Sequence, residues 1–216
     1  MALTIGATVC RADVIQSTVV LPPGSGAYTL GTICVSGLNR CTENAAVSGF
    51  NIISDTQQNG NELVVASAGY SADIFTNSGG VPGVFLGHLF LSGTTQFTYV
   101  GRNPSVNPLG TFVTDLTDFD FTGTLNGNTF EVKQDPGNAS TGSTTILEAT
   151  FVPPIKFNVS SSLDIFADYS FNGGPFVTAP ERMTTLTAVP EPGSAGIAGS
   201  ILAGVLGIAS RRRRIR

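Results

Sequence analysis

The sequence contains no tryptophan, one histidine and three cysteines, and only 12% of its 216 residues are charged. Each shortage excludes something. At 41% hydrophobic the chain is not of the disordered class, which combines low hydrophobicity with high net charge. One histidine, His88, and so few cysteines leave too small a set of nitrogen and sulfur ligands for a zinc site. No Gly-x-Ser-x-Gly elbow occurs, so a serine hydrolase has no local support. The lack of tryptophan weakens the case for a sugar-stacking platform, although Tyr70, Tyr99 and Tyr169 also offer aromatic faces. No internal repeat and no long helical pattern appears before the C-terminal segment.

What remains is a chain rich in glycine (26 residues), threonine, serine, valine and phenylalanine. β-Branched and aromatic residues suit a pleated, half-buried surface. Short apolar runs separated by Gly, Pro and Asn clusters predict strands over Val14–Leu21, Tyr28–Val35, Val47–Ile53, Glu62–Ala68, Val84–Leu91, Gln96–Val100, Thr111–Leu116, Phe119–Leu125, Thr129–Gln134, Thr144–Phe151, Ile155–Val159, Leu163–Tyr169 and Phe176–Thr178. That spacing predicts an all-β, antiparallel β-sandwich, jelly-roll-like, over residues 13–183, with 184–188 as a linker. The clearest unit is a hairpin about Asn126-Gly127, a pair suited to a type I′ turn. It places Leu125 opposite Asn128, Gly123 opposite Phe130 and Phe121 opposite Val132. Phe119, Phe121, Leu125, Phe130 and Val132 then share one face and Thr and charged residues the other, so turn and pattern agree on one register. Val84–Leu91 does not alternate cleanly and reads as a central strand covered on both faces. Asp135–Ser143 reads as a surface loop.

Charge is distributed unevenly. Between Asp13 and Pro190 stand fourteen acids and five bases, a net charge of −9, whereas Arg211, Arg212, Arg213, Arg214 and Arg216 crowd the last six positions. An acidic body argues against nucleic acid, whose phosphates need clustered Lys and Arg. The terminal arginines follow an uncharged run, Gly193–Ala209, preceded by Val189-Pro190-Glu191-Pro192. As a helix such a run reaches about 26 Å, close to a hydrocarbon core of roughly 30 Å. The arginines favour the cytoplasmic side, which places the body outside. A buried core helix gives the arginines little reason to exist; a permanent single-pass anchor is the other alternative. Motif, apolar helix and Arg cluster, in that order, resemble the PEP-CTERM sorting domain of exported bacterial proteins. The resemblance covers residues 189–216. It implies a single transmembrane helix, recognition and cleavage near Pro-Glu-Pro by a membrane-embedded exosortase, and association with extracellular polysaccharide and biofilm material. Gly193-Ser194 departs from the Ser-Thr that often follows the motif.

Met1–Ala12 is apolar up to Cys10-Arg11-Ala12 and resembles the last part of a secretory signal, expected as a truncated one because the basic n-region is missing. The alternative is a first β-strand. Val9 is too large to precede a lipidated cysteine at Cys10.

Within an exported body, Cys34 and Cys41 read as a disulfide closing a small loop, with free thiols as the alternative. Its stabilisation is about 2–3 kcal/mol by loop-closure entropy. Asp115, Asp118 and Asp120 form the densest carboxylate group and are the only candidates for Ca²⁺, though a solvated turn explains them as well. Glu62, Glu131 and Glu148 are the carboxylates from which a glycosidase pair would have to come. His88 has no nucleophile beside it in sequence, and a strand histidine with one hydrogen-bonded nitrogen is its ordinary reading. The expectation is therefore an exported, non-enzymatic surface or matrix protein without a cofactor. A carbohydrate-binding module and an unusual secreted hydrolase are the rivals.

Overall fold

The computed structural model describes residues 15–17, 21–148, 157–180 and 182–188. Within them the chain is all-β and antiparallel. The strands are β1 (Ile15–Ser17), β2 (Gly26–Leu30), β3 (Ile33–Val35), β4 (Arg40–Gln58), β5 (Asn61–Asn77), β6 (Pro82–Tyr99), β7 (Gly110–Leu125), β8 (Asn128–Gln134), β9 (Ser140–Glu148), β10 (Phe157–Ile165), β11 (Ala167–Phe171), β12 (Val177–Thr178) and β13 (Arg182–Ala188). All belong to one 13-stranded sheet.

That sheet closes on itself. Starting from β2, antiparallel ladders join β2 to β4, then β5, β6, β7, β9, β10, β13 and back to β2, a circuit of eight strands. Apart from the β2–β4 step over the short β3, the β7–β9 step, which passes over β8, and the jump from β10 to β13, the route follows chain order. β8 and β11 fill those places further along, since β8 pairs with β7 and with β11. The expected antiparallel all-β class holds, and opposite walls share one core as the layers of a sandwich do. The connectivity is an up-and-down meander instead of the Greek keys of a jelly roll. Closing the circuit pairs the edges that an open meander would expose, while the short β1, β3 and β12 each keep a single partner strand.

Alternation explains why these residues form these strands. In β5, Glu62, Val64, Ala66, Ala68, Tyr70, Ala72 and Ile74 are buried, and every residue between them is only partly covered. Inward residues of the other strands complete the core, among them Tyr28, Phe97, Phe121, Val132, Leu163 and Leu186. Tyr28 stacks on Phe97 at 6.0 Å and meets Phe50 edge-on at 5.9 Å. A buried hydroxyl chain also crosses the interior. Tyr28 donates to Ser161 (3.0 Å), Ser161 and Thr144 are bonded at 2.8 Å, and Thr114 donates to Thr144 at 2.8 Å. These groups satisfy one another, which a buried polar group requires. Burial pushes the Tyr28 hydroxyl pKa up to about 12, against the opposing effect of its bond to Ser161.

Several expected boundaries move. The Asn126-Gly127 hairpin has the register stated above, with both turn residues at positive φ (52° and 79°). Asn59-Gly60 makes a second turn with the same φ signs, joining β4 to β5. Val84–Leu91 and Gln96–Val100 are parts of one strand, β6, and Thr111–Leu116 and Phe119–Leu125 are both in β7. The break expected between Leu91 and Gln96 is instead continuous strand. A Cβ on Gly93 would lie 1.7 Å from the carbonyl oxygen of Asp120, so β6 and β7 approach there as only glycine permits. Val84–Leu91 is not covered on both faces: Leu89 and Leu91 point inward, while Val84, Phe85, His88 and Phe90 are exposed. Half of the Asp135–Ser143 loop is the start of β9.

The clearest correction concerns 184–188. Those residues are not a linker but most of β13, with Leu186 opposite Tyr28 and wholly buried. The β unit therefore runs past residue 183 to Ala188. The alternation of Leu186 with threonines fits a closing strand better than a tether. Leu186→Ala should accordingly lower unfolding free energy by about 2–5 kcal/mol in urea denaturation; a linker leucine would change it by under roughly 0.5 kcal/mol.

Candidate functional site

The sequence singles out residues that the fold distributes over three environments. The sorting motif Val189–Pro192, the arginines from Arg211 to Arg216 and the N-terminal residues 1–12 lie outside the described residues. No helix among the described residues is long and apolar enough to cross a membrane.

The first environment is the interior. Tyr70, Tyr99 and Tyr169, considered as sugar-stacking faces, are all buried, and burial raises the pKa of each hydroxyl. They are core residues and present no face to a glycan. The cavity that Tyr70 and Tyr169 help to line is walled by Tyr28, Phe97, Phe121 and Leu163 and has a volume of about 30 Å³. That is room on the order of one water molecule and none for an organic ligand.

Glu62 lies at one mouth of the closed sheet, beside the Asn59-Gly60 turn and opposite Tyr99. Arg102, just beyond the end of β6, donates to its carboxylate, and both side chains are only 2% exposed. Burial pushes the Glu62 carboxyl above its ordinary value, and the hydrogen bond and charge of Arg102 pull it back. The guanidinium Nε has no hydrogen-bond partner among the described residues. The pair is a structural stopper, separated by forty positions in sequence and invisible to any local pattern. Glu131 flanks the inward-pointing Phe130 and Val132 and so faces outward, on the opposite side of the sheet from Glu62. Glu148 ends β9. Glu62 and Glu131 therefore do not face each other across a cleft as glycosidase carboxylates must.

The second environment is the outer face of β7. Asp118 and Asp120 are exposed, and Asp115 is half-buried. They stand in register with Thr98, Gln96 and Thr94 of β6, and Asp120 also lies opposite Lys133. Among the described residues no group of three or more potential ligands converges to hold a metal ion. The three aspartates form a row along a strand, with no cage around a cation.

The third environment is the outer face of β4–β6, at the end remote from Glu62. Asp73 and His88 are directly paired across β5 and β6, and His88 Nδ1 lies 2.5 Å from Asp73 Oδ1. Asn44 occupies a bulge in β4 at φ 51° and donates to the other carboxylate oxygen at 2.8 Å. These bonds, from Asn44 first and His88 second, hold the Asp73 carboxyl below its ordinary pKa. The His88 side chain is 66% exposed, with the Phe85 ring edge-on to it at 5.1 Å. An aspartate that orients a histidine is half of a catalytic constellation, yet no serine, threonine or cysteine among the described residues is bonded to the ring. Asp73, Asn44 and Arg102 went unnoticed in the sequence. The only available hint was the alternation His88, Phe90, Ser92, which marks one outward row.

Near the same end Cys34 and Cys41, directly opposed on β3 and β4, form a disulfide. Cys41 pairs on its other side with Phe75 of β5, so the bridge fastens the short β3 to the wall.

Comparison of the chain with models of known protein families, with curated proteins and with solved structures finds no match. Function therefore rests on the residues themselves.

The stopper yields a pH-dependent prediction. Arg102→Ala leaves a buried carboxylate unpaired and should destabilise the chain by about 3–5 kcal/mol near neutral pH. Because the folded-state pKa of Glu62 is raised, the penalty for its charged form acts above that pKa and is relieved as pH falls through it. Urea titrations of Arg102→Ala and the parent chain should thus converge as the pH falls below neutrality. A constant gap would mean that the arginine acts through packing alone.

Proposed function

We propose that this chain is an exported, non-enzymatic bacterial surface or extracellular-matrix protein, sorted and processed through its C-terminal segment. The observation that carries the reading is the order Val189-Pro190-Glu191-Pro192, uncharged Gly193–Ala209, then Arg211–Arg214 and Arg216. In this reading the run spans the inner membrane as a helix during sorting. The arginines hold its cytoplasmic end, and an exosortase-type enzyme cuts near the Pro-Glu-Pro motif. Residues 1–12 belong to the export signal in this reading, and the product is left at the cell surface or outside the cell.

Features of the body support the same reading. A disulfide between Cys34 and Cys41 suits an oxidising compartment. A sandwich-like unit with a hydroxyl-rich exterior and a net charge of −9 suits a soluble product and offers no patch for nucleic acid. Strand β13 ends at Ala188, immediately before Val189, so a cut at the motif would release the closed sheet entire.

Intact mass spectrometry of the protein from membrane and medium fractions of its host tests this directly. The expected mature form ends between Pro190 and Ser194, and Glu191→Ala should shift the protein to the uncut mass. A membrane-bound form that always retains Arg216 would instead make this a permanently anchored single-pass protein.

A further inference from the structure

We propose that the outer face of β5 and β6 around Phe90 is a binding site for a neutral polysaccharide, with the ring of Phe90 as platform and the Asn44–Asp73–His88 cluster as the polar edge. Phe90 sits in mid-strand with 72% of its surface exposed, more than Phe85 at 48% on the same strand, whereas Tyr70, Phe97, Tyr99, Phe119 and Phe121 of the central strands line the core. Its surroundings leave the ring uncovered. Ser71 lies directly across from it, Ser92 two positions along on the same face, and Gly69 opposite Ser92. None of these is tall enough to cover a phenyl ring, so the ring stands above a floor of hydroxyls and backbone.

Adjacent to Ser71 and Phe90 on this face is the Asp73–His88 pair. Both carboxylate oxygens of Asp73 are already engaged, by His88 at 2.5 Å and Asn44 at 2.8 Å. Each oxygen keeps a further lone pair, and the exposed imidazole still has Nε2 to offer. These groups are oriented before a ligand arrives, so little side-chain entropy is lost on binding.

An aromatic face beside fixed carboxylate, amide and imidazole groups matches a pyranose, which presents apolar C–H bonds on one side and hydroxyls around its rim. Charge narrows the class. A body of net charge −9 repels anionic polymers, which leaves neutral ones. A protein partner fits less well, because Ser71, Ser92 and the polar Asp73–His88 pair surround Phe90 on β5 and β6 and stand between it and the exposed Phe85, so the apolar surface is broken up and is no continuous patch of several hundred Å². The inference does not rest on the sorting tail.

Affinity electrophoresis of the full chain tests it, in a detergent without a sugar headgroup and through gels containing laminarin, hydroxyethyl cellulose or xylan. At least one polymer should retard the protein. Phe90→Ala should weaken that retardation roughly three- to tenfold, Phe90→Tyr should retain it, and Asp73→Asn should weaken it with an unchanged circular dichroism spectrum. No retardation by any of the three polymers would overturn the proposal. So would equal retardation of Phe90→Ala and the parent chain, which would put the sugar elsewhere. Self-association lost in Phe90→Ala without any polymer binding would assign the ring to a protein contact and also overturn it.

Discussion

The pairing of β13 with β2 is the constraint on which the rest depends. A meander of long antiparallel strands has two free edges, and an apolar inner face that must be covered by something. Joining Leu186 to Tyr28 and Thr185 to Thr29 makes the sheet its own cover. The inward residues of every strand then converge on one core, and the buried chain from Tyr28 through Ser161 and Thr144 to Thr114 can span four strands. Without closure those hydroxyls would have no reason to be inside, and the edges of β2 and β10 would be open to other chains.

Closure also decides where chemistry can and cannot lie. Among the described residues the interior is filled, and the cavity between Tyr28, Phe97 and Leu163 holds no more than about a water molecule. The buried Glu62–Arg102 pair blocks one mouth and serves the fold, since breaking such a pair is far more damaging than replacing it. The outer face carries short polar side chains along with exposed large apolar ones such as Val84, Phe85 and Phe90. There the exposed Phe90 and the bonded Asp73–His88 pair lie side by side.

Local pattern revealed much of this and long-range pairing the remainder. The Asn126-Gly127 hairpin was legible to the residue, because its turn demands two positive φ angles and its phenylalanines fall on one face in only one register. The all-β class followed from composition and spacing. Strand lengths did not, because Gly93 looks like a break but permits a close approach between β6 and β7. The bulges of β4, one of them at Asn44, similarly shift its alternation out of phase and hide a 19-residue strand. Thr184–Ala188 looked like a tether because no hairpin turn marks its pairing: it lies between Leu163 and Ser162 of β10 on one side and the distant β2 on the other. The outer row was missed for a different reason. Leu86, Leu89 and Leu91 so dominate their run that the outward His88 and Phe90 read as part of a doubly covered strand. Pairs such as Asp73 with His88 or Glu62 with Arg102 need the ladder register before they can be seen at all.

Residue-resolved amide hydrogen exchange is the most direct test of the closed sheet. The account predicts that hydrogen-bonded amides of Thr185–Ala188 and their partners in Gly26–Leu30 exchange as slowly as those in the centre of β5 and β6, because all open only with the whole core. Exchange of residues 185–188 at the rate of an unstructured chain, with β5 and β6 still protected, would contradict closure.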